Sequence, residues 1–190
     1  MGKLSRFWQD QDISVKDQVL TKKNPDYVLP AYVNGEFLSS GPSKWTMGKR
    51  SHTHVLDGFG RMSRYKIKDG EISFTSSLLE CKWLKKCRQD NDLVPGLGFR
   101  GLNPPRWEQK VPFVSLYYTA EYFDDNWVMP WRLPDGTYVS MTDTPNYLQL
   151  DIDTLEPQGM VKFDDDIKGQ SGTTHVRSHP NGDTVGVVSE

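Results

Sequence analysis

The chain has little cysteine, little net charge and no long apolar run. Two cysteines, Cys81 and Cys87, serve 190 residues. Two thiols cannot staple a chain of this length into a disulfide scaffold. Their spacing around Lys82-Trp83-Leu84-Lys85-Lys86 matches no zinc or redox motif. A reducing compartment is expected, with cytoplasm or plastid the leading locations. Net charge is −2, so the basic footprint of a nucleic-acid binder is missing. No apolar stretch approaches the roughly 20 residues that a membrane-spanning helix needs. No signal peptide is read at the start, because Trp8 is followed by Gln9, Asp10, Gln11 and Asp12 rather than by an apolar stretch. A myristoylation signal wants Ser or Thr at the sixth position, where Arg6 stands.

Aromatic residues, by contrast, make up 12% of the chain, enough to fill a core. Gly (16) and Pro (12) are too frequent for a helical bundle and suit a turn-rich β protein. Residues 1–25 are polar and mixed in charge, and read as an arm or a short helix. Leu4, Phe7 and Trp8 would dock, with Val15, Val19 and Leu20 as a second stripe. Residues 26–190 read as one β domain. Turn dipeptides recur at Asn34-Gly35, Asp57-Gly58, Asp69-Gly70, Asp135-Gly136 and Asn181-Gly182. Alternating runs on both sides of Asp69-Gly70, and again around Asp135-Gly136, predict hairpins with one wet face. Strands are also expected at Tyr147–Leu150 and Met160–Phe163. One helix is expected over Leu78–Cys87, and residues 89–112 read as loop. Residues 184–190 should return along His175–Pro180. The class is all-β, in antiparallel meanders with at most two short helices. Sandwich, barrel and propeller all fit that order.

Few residues suggest chemistry by themselves. His52 and His54 would share a strand face, as would His175 and His179, and their plainest role is as solvated or hydrogen-bonded imidazoles. None forms a compact metal signature. Asp124-Asp125, Asp151/Asp153 and Asp164-Asp165-Asp166 lack the ligand alternation of a calcium loop and read as turn caps. Neither a Gly-x-Ser-x-Gly elbow nor a phosphate loop is present.

Taken in order, several short stretches resemble the amino-terminal part of the carotenoid cleavage oxygenases. These are Val33-Asn34-Gly35-Glu36-Phe37 with Ser40-Gly41-Pro42, then His54-Val55-Leu56-Asp57-Gly58-Phe59-Gly60 and Asp125-Asn126-Trp127. Ser140-Met141-Thr142-Asp143, Asp151–Gly159 and Lys168-Gly169-Gln170-Ser171-Gly172-Thr173-Thr174-His175 follow. Any one of them is weak; their order and spacing over residues 28–188 carry the resemblance.

The resemblance implies a seven-bladed β-propeller. An axial iron(II) would be held by four histidines, three of them oriented by glutamates, with an apolar tunnel leading a polyene to the metal. Neutral imidazoles suit ferrous iron, and carboxylates behind them fix the ring tautomer. His175 matches the first iron ligand, with Val176 where the family usually has Pro. His179, followed by Pro180, is the alternative ligand. Asp143 falls where the family often has an orienting Glu, one methylene longer. His54 matches a family histidine that does not bind iron. The other three ligands match nothing in this chain, so no catalytic residue is named. At about 40 to 50 residues per blade, the chain holds some three blades and part of a fourth. Two functions follow from the resemblance. One is a portion of an iron(II) dioxygenase acting on an apolar polyene. The other is an inactive member serving as a structural or pigment-binding subunit, with a protein partner over its open propeller edge. In either case Fe(2+) belongs to the complete family protein and is not expected to stay on this chain alone.

Overall fold

The computed structural model describes residues 9–20, 29–96, 101–114, 117, 122–161 and 171–189. The first half runs β1 (Val15–Val19), β2 (Gly35–Lys44), β3 (Thr46–Met47), β4 (Arg50–His52), β5 (Phe59–Lys68), β6 (Glu71–Leu78), α1 (Lys82–Asp90) and β7 (Leu102–Asn103). The second runs β8 (Met129–Arg132), β9 (Tyr138–Thr142), β10 (Thr144–Leu150), β11 (Pro157–Val161), β12 (Ser171–Gly172), β13 (Arg177–Ser178), β14 (Thr184–Val185) and β15 (Val188–Ser189). Two four-stranded sheets dominate, ordered β1-β6-β5-β2 and β11-β10-β9-β8. A small β3-β4-β7 sheet and two short ladders, β12-β15 and β13-β14, complete the described strands. Every pairing is antiparallel, so the all-β antiparallel expectation is met, with β8 to β11 a consecutive meander and β1 and β2 paired to non-consecutive strands. Residues 89–112, read as loop, carry β7 and a 3-10 turn at Trp107–Lys110, and with α1, the 3-10 turn Val55–Asp57 and helical residues 112–114 the short helices exceed the two expected.

The hairpin at Asp69-Gly70 forms as read: Lys68 faces Glu71, and the turn residues take φ of 52° and 79°. Two successive positive φ values match the right-handed twist of the flanking strands. The β8–β9 hairpin closes around Asp135-Gly136, where Gly136 N–H donates to Leu133 O at 2.9 Å.

Other expectations are corrected. Asn34-Gly35 is no hairpin turn: Gly35 opens β2, and Asn34 Oδ1 accepts from Asp69 N–H at 3.2 Å. Asp57 ends a single 3-10 turn, Val55–Asp57, and Gly58 leads into β5. A side chain at Gly58 would sit 2.5 Å from Trp45 Nε1, so close packing explains this glycine. The β3–β4 and β9–β10 hairpins instead reverse at Gly48-Lys49 and at Asp143.

The helix begins at Lys82 rather than Leu78. Leu78 ends β6, and Leu79 N–H continues the ladder to Gly60 O at 2.8 Å. Val15–Val19 is a strand on β6 rather than a helix, and Val19 and Leu20 are exposed rather than docked. Asp10 fixes the approach to β1 by accepting from Trp45 N–H at 2.7 Å, while Lys44 Nζ meets Asp12 at 2.8 Å. Leu4, Phe7, Trp8 and the expected boundary at 25/26 lie outside the described residues. At the C-terminal end only Thr184–Val185 returns along Arg177–Ser178. Val188–Ser189 runs on to pair Ser171–Gly172, one ladder earlier than expected.

The two large sheets pack through Met62, Leu79, Leu148, Leu150 and Leu155, all buried. Burying side chains of this size contributes about 1.5–3 kcal/mol each. A second cluster joins α1 to the small sheet through Phe59, Trp83, Leu84, Cys87 and Leu102. Arg64 ties the sheets across their polar side. Its buried guanidinium donates to Ile152 O at 3.1 Å and Asp153 Oδ1 at 2.8 Å, and it pairs with Glu36. Among the described residues no helix is long and apolar enough to cross a membrane.

Removing Arg64 strips three acceptors at once. Arg64→Ala is expected to destabilise the chain by about 2–3 kcal/mol. Urea unfolding should show a lower midpoint at unchanged slope, and a midpoint equal to that of the parent would rule out this tie as a stabilising contact.

Candidate functional site

Asp143 occupies the turn between β9 and β10, with Thr142 paired to Thr144 on either side. Its backbone carbonyl accepts from Gly172 N–H at 3.3 Å, and its carboxylate accepts from the Thr174 hydroxyl. One exposed residue thus holds the segment that leads to His175. Along that segment, Thr174 and Val176 are each 1% exposed while His175 between them is exposed. Thr174 and His175 form a bend between β12 and β13, and the burial alternates across it: the residues on either side are buried while His175 is exposed. Val176 packs into the cluster of Val139 and Met141, with Met129, Trp131 and Tyr147 around it.

His179 is built into a turn. Its backbone N–H donates to Asp183 O at 2.8 Å, and its Nδ1 lies 2.6 Å from Asn181 Oδ1. Trp131 Nε1 donates to Thr184 Oγ1 at 3.1 Å and pins this hairpin against β8.

His52 and His54 do not share a face. His54 caps the 3-10 turn, its Nδ1 accepting from Leu56 N–H at 3.2 Å. His52, on β4, meets Phe59 and Trp83 edge-on at centroid distances of 5.6 and 5.3 Å. Burial pushes its pKa down to about 4, although Asp57 and Asp10 pull the other way. It is a neutral ring at physiological pH.

The acidic pair Asp124-Asp125, read as a turn cap, has a longer reach. Asp124 Oδ2 accepts from Lys82 N–H at 2.6 Å and Oδ1 from Trp83 N–H at 3.3 Å, capping α1 from more than 40 residues away. Cys81 adds its sulfur as acceptor for Leu84 N–H at 3.4 Å. Asp125 receives Gly60 N–H on both oxygens, at 3.1 and 3.2 Å. Its carboxyl is enclosed, although the residue keeps some surface. Burial and then the neighbouring Asp124 charge push its pKa up to about 8, against the pull of Gly60 N–H and Cys81. Both thiols are raised by burial, Cys87 to about 12, so neither serves as a nucleophile near neutrality. Downstream, Asn126 Nδ2 donates to Asn146 O at 2.6 Å and Val128 N–H to Met141 O at 3.0 Å, fixing the segment along β9 and β10.

These elements enclose a cavity of about 580 Å³. Trp83, Tyr122, Phe123 and Trp127 give it aromatic walls, and Asp125, Thr142, Asp143 and Thr144 add polar groups. The sequence did not reveal this cavity, because its walls come from four separated stretches. Among the described residues no three His, Cys, Asp or Glu side chains gather to hold a metal ion.

Residues 19–189 match the family model of the retinal pigment epithelial membrane protein. The chain belongs to that family. The mitochondrial carotenoid-cleaving dioxygenase of Mustela putorius furo is 27% identical over 155 residues, covering 81% of this chain and 28% of the relative. The beta,beta-carotene 15,15'-dioxygenase of Mus musculus is 25% identical over 162 residues, covering 84% and 28%. The chloroplastic carotenoid cleavage dioxygenase 8 of Arabidopsis thaliana is 26% identical over 145 residues, covering 72% and 25%. This chain therefore spans about a quarter of the length of these relatives. Among solved structures, a variant of the Synechocystis apocarotenoid oxygenase superposes with a TM-score of 0.76 at 20% identity, over 94% of this chain and 36% of that one. The cobalt-substituted Synechocystis enzyme gives 0.73 at 18% identity, over 95% and 37%. The family resemblance read in the sequence is borne out, and the fold is a partial β-propeller.

The raised Asp125 makes stability depend on pH. In the unfolded chain the group loses its proton near 4, in the folded chain near 8. The folded state therefore binds more protons between those values, and stability falls as pH rises through that window. Asp125→Asn keeps an acceptor for Gly60 N–H and removes the titration. Urea midpoints measured from pH 4 to 8 should decline less in the variant than in the parent, and parallel declines would show that Asp125 is not the titrating group.

Proposed function

We propose that this chain forms the part of a non-haem iron(II) dioxygenase that presents the first imidazole of the metal centre and one wall of the polyene cavity. The reaction is oxidative cleavage of a carotenoid or apocarotenoid double bond. The carrying observation is His175, held outward between buried Thr174 and Val176 by a segment tied to Asp143. Its ring is free of the local duties that occupy His179 and His54, which favours His175 as the ligand and His179 as a turn residue. Asp143 acts here on the Thr174 hydroxyl, so it positions the imidazole through the backbone.

Iron, when bound in the complete centre, supplies the dioxygen chemistry, and neutral imidazoles suit it. The described residues alone do not fit such an ion, because one imidazole lacks the chelation that several convergent ligands give. The roles of this chain are to present His175, hold its orientation and line an aromatic cavity from which water is displaced by an apolar substrate. The names of the relatives support the substrate class, since they act on carotenoids or are apocarotenoid oxygenases.

The missing chelate also favours a second reading, a pigment-binding or structural subunit without catalysis whose open propeller edge a protein partner covers. The iron content separates the two. The purified 190-residue chain should carry no stoichiometric iron by elemental analysis after chelator treatment. In a longer chain holding this segment with further histidines, His175→Ala should abolish iron retention and polyene cleavage, while His179→Ala should leave most of both. The opposite pattern would make His179 the ligand. Tight iron binding by the 190-residue chain would end the incomplete-centre reading.

A further inference from the structure

We propose that residues 122–125 are a proton-locked clasp on the aromatic cavity, which holds while the Asp125 carboxyl keeps its proton and lets go of β5 when that proton leaves. The clasp acts on access to the cavity, whatever the cavity binds.

Every residue from 122 to 128 lines the cavity. The far end of this strap is fixed by bonds that do not titrate. Asn126 Nδ2 donates to Asn146 O at 2.6 Å, and Val128 N–H donates to Met141 O at 3.0 Å. The near end hangs on two neighbouring carboxyls. Asp124 accepts from Lys82 and Trp83 N–H at the start of α1, and Asp125 accepts from Gly60 N–H on both oxygens. The strap lies close on β5 here, since a side chain at Gly60 would stand 2.4 Å from Trp127 Cβ. A near end held by carboxyls against a fixed far end is a clasp that a proton can work.

The surroundings of Asp125 make its proton the lock. Asp124 stands beside it on the strap, and the Cys81 thiol faces it from the cap of α1. Asp57 and Asp143 stand elsewhere on the cavity wall, and no Lys, Arg or His is among the described residues that line it. Two ionised neighbours in an enclosed place repel, with no cation between them. One proton removes that repulsion. Burial and then the Asp124 charge hold the Asp125 proton up to about pH 8, against the pull of Gly60 N–H and Cys81. With the clasp open and the carboxyl in water, the proton leaves near its ordinary value of about 4. The closed form therefore binds the proton more tightly between those values. Opening grows easier as pH rises through that window, by up to about 10-fold per unit, and levels off above it.

The test reads amide hydrogen exchange of the 190-residue chain by NMR between pH 5.5 and 9, corrected for intrinsic rates. Gly60 N–H should lose protection by about 10-fold or more up to pH 8 and then level off. Leu79 N–H, bound to Gly60 O in the ladder, should not fall with it. Asp125→Asn keeps an acceptor for Gly60 N–H and should hold its protection constant. Asp124→Asn keeps an acceptor for Lys82 N–H, removes the neighbouring charge, and should make the loss at Gly60 level off at lower pH. Uptake of nile red, an uncharged apolar dye, should be slower at pH 5.5 than at 8 in the parent and independent of pH in Asp125→Asn. Equal losses at Gly60 and Leu79 would mean global unfolding and overturn the clasp. So would a Gly60 course that neither substitution changes, or dye uptake by the parent that is absent or flat with pH.

Discussion

Two neighbouring carboxyls hold together parts of the chain that share no local sequence. Asp124 satisfies the first N–H groups of α1, and Asp125 satisfies Gly60 N–H at the head of β5. A helix start and a strand start each leave backbone donors that must be met once they are buried. Meeting both from adjacent residues sets the distance between helix and sheet. It also draws residues 122–128 across the gap, and the cavity is the space that this strap leaves open. Burial keeps Asp125 protonated well above the usual carboxylate range.

The same economy appears at the other large contact. Arg64 lies inside the first sheet and reaches the β10–β11 turn of the second, where it meets Ile152 and Asp153. Around it the apolar cluster of Met62, Leu148, Leu150 and Leu155 supplies most of the burial. The guanidinium supplies direction that apolar contact lacks, because it must face particular acceptors. With the sheets fixed, the Asp143 turn faces residues 172–174 and can hold them.

What the sequence disclosed was local. Asp69-Gly70 specifies its own hairpin, since two residues with positive φ suffice to reverse a twisted ladder. The motifs around Asp57-Gly58, Asp125-Asn126 and Thr174-His175 were readable as a family order, although their three-dimensional roles were not. Asp57-Gly58 looks like a turn dipeptide and serves instead as the end of a 3-10 turn with a glycine pressed on Trp45. Leu78 fits a helical stripe yet belongs to β6, because the start of α1 is set by Cys81 at its cap and by Asp124, far along the chain, which accepts from the first helix N–H groups. Long-range caps leave no periodicity to detect. The same holds for the cavity, whose walls meet only after the sheets have packed.

On the proposed reading of His175 as the ligand, Val176 stands where the family usually has proline, and packing takes over the task of the ring. Proline at that position would fix φ near −65° without help from its neighbours. Valine leaves the backbone free, so the direction of His175 has to be set by what flanks it. Both flanks are set: Thr174 is buried and bound to Asp143, and Val176 is buried against Val139 and Met141. A β-branched side chain is stiff at χ1, so once seated in the core it anchors the backbone that carries it. With its two neighbours buried, His175 at the bend is left exposed. The orientation that a proline would impose covalently is here imposed by a hydrogen bond on one side and a filled core position on the other.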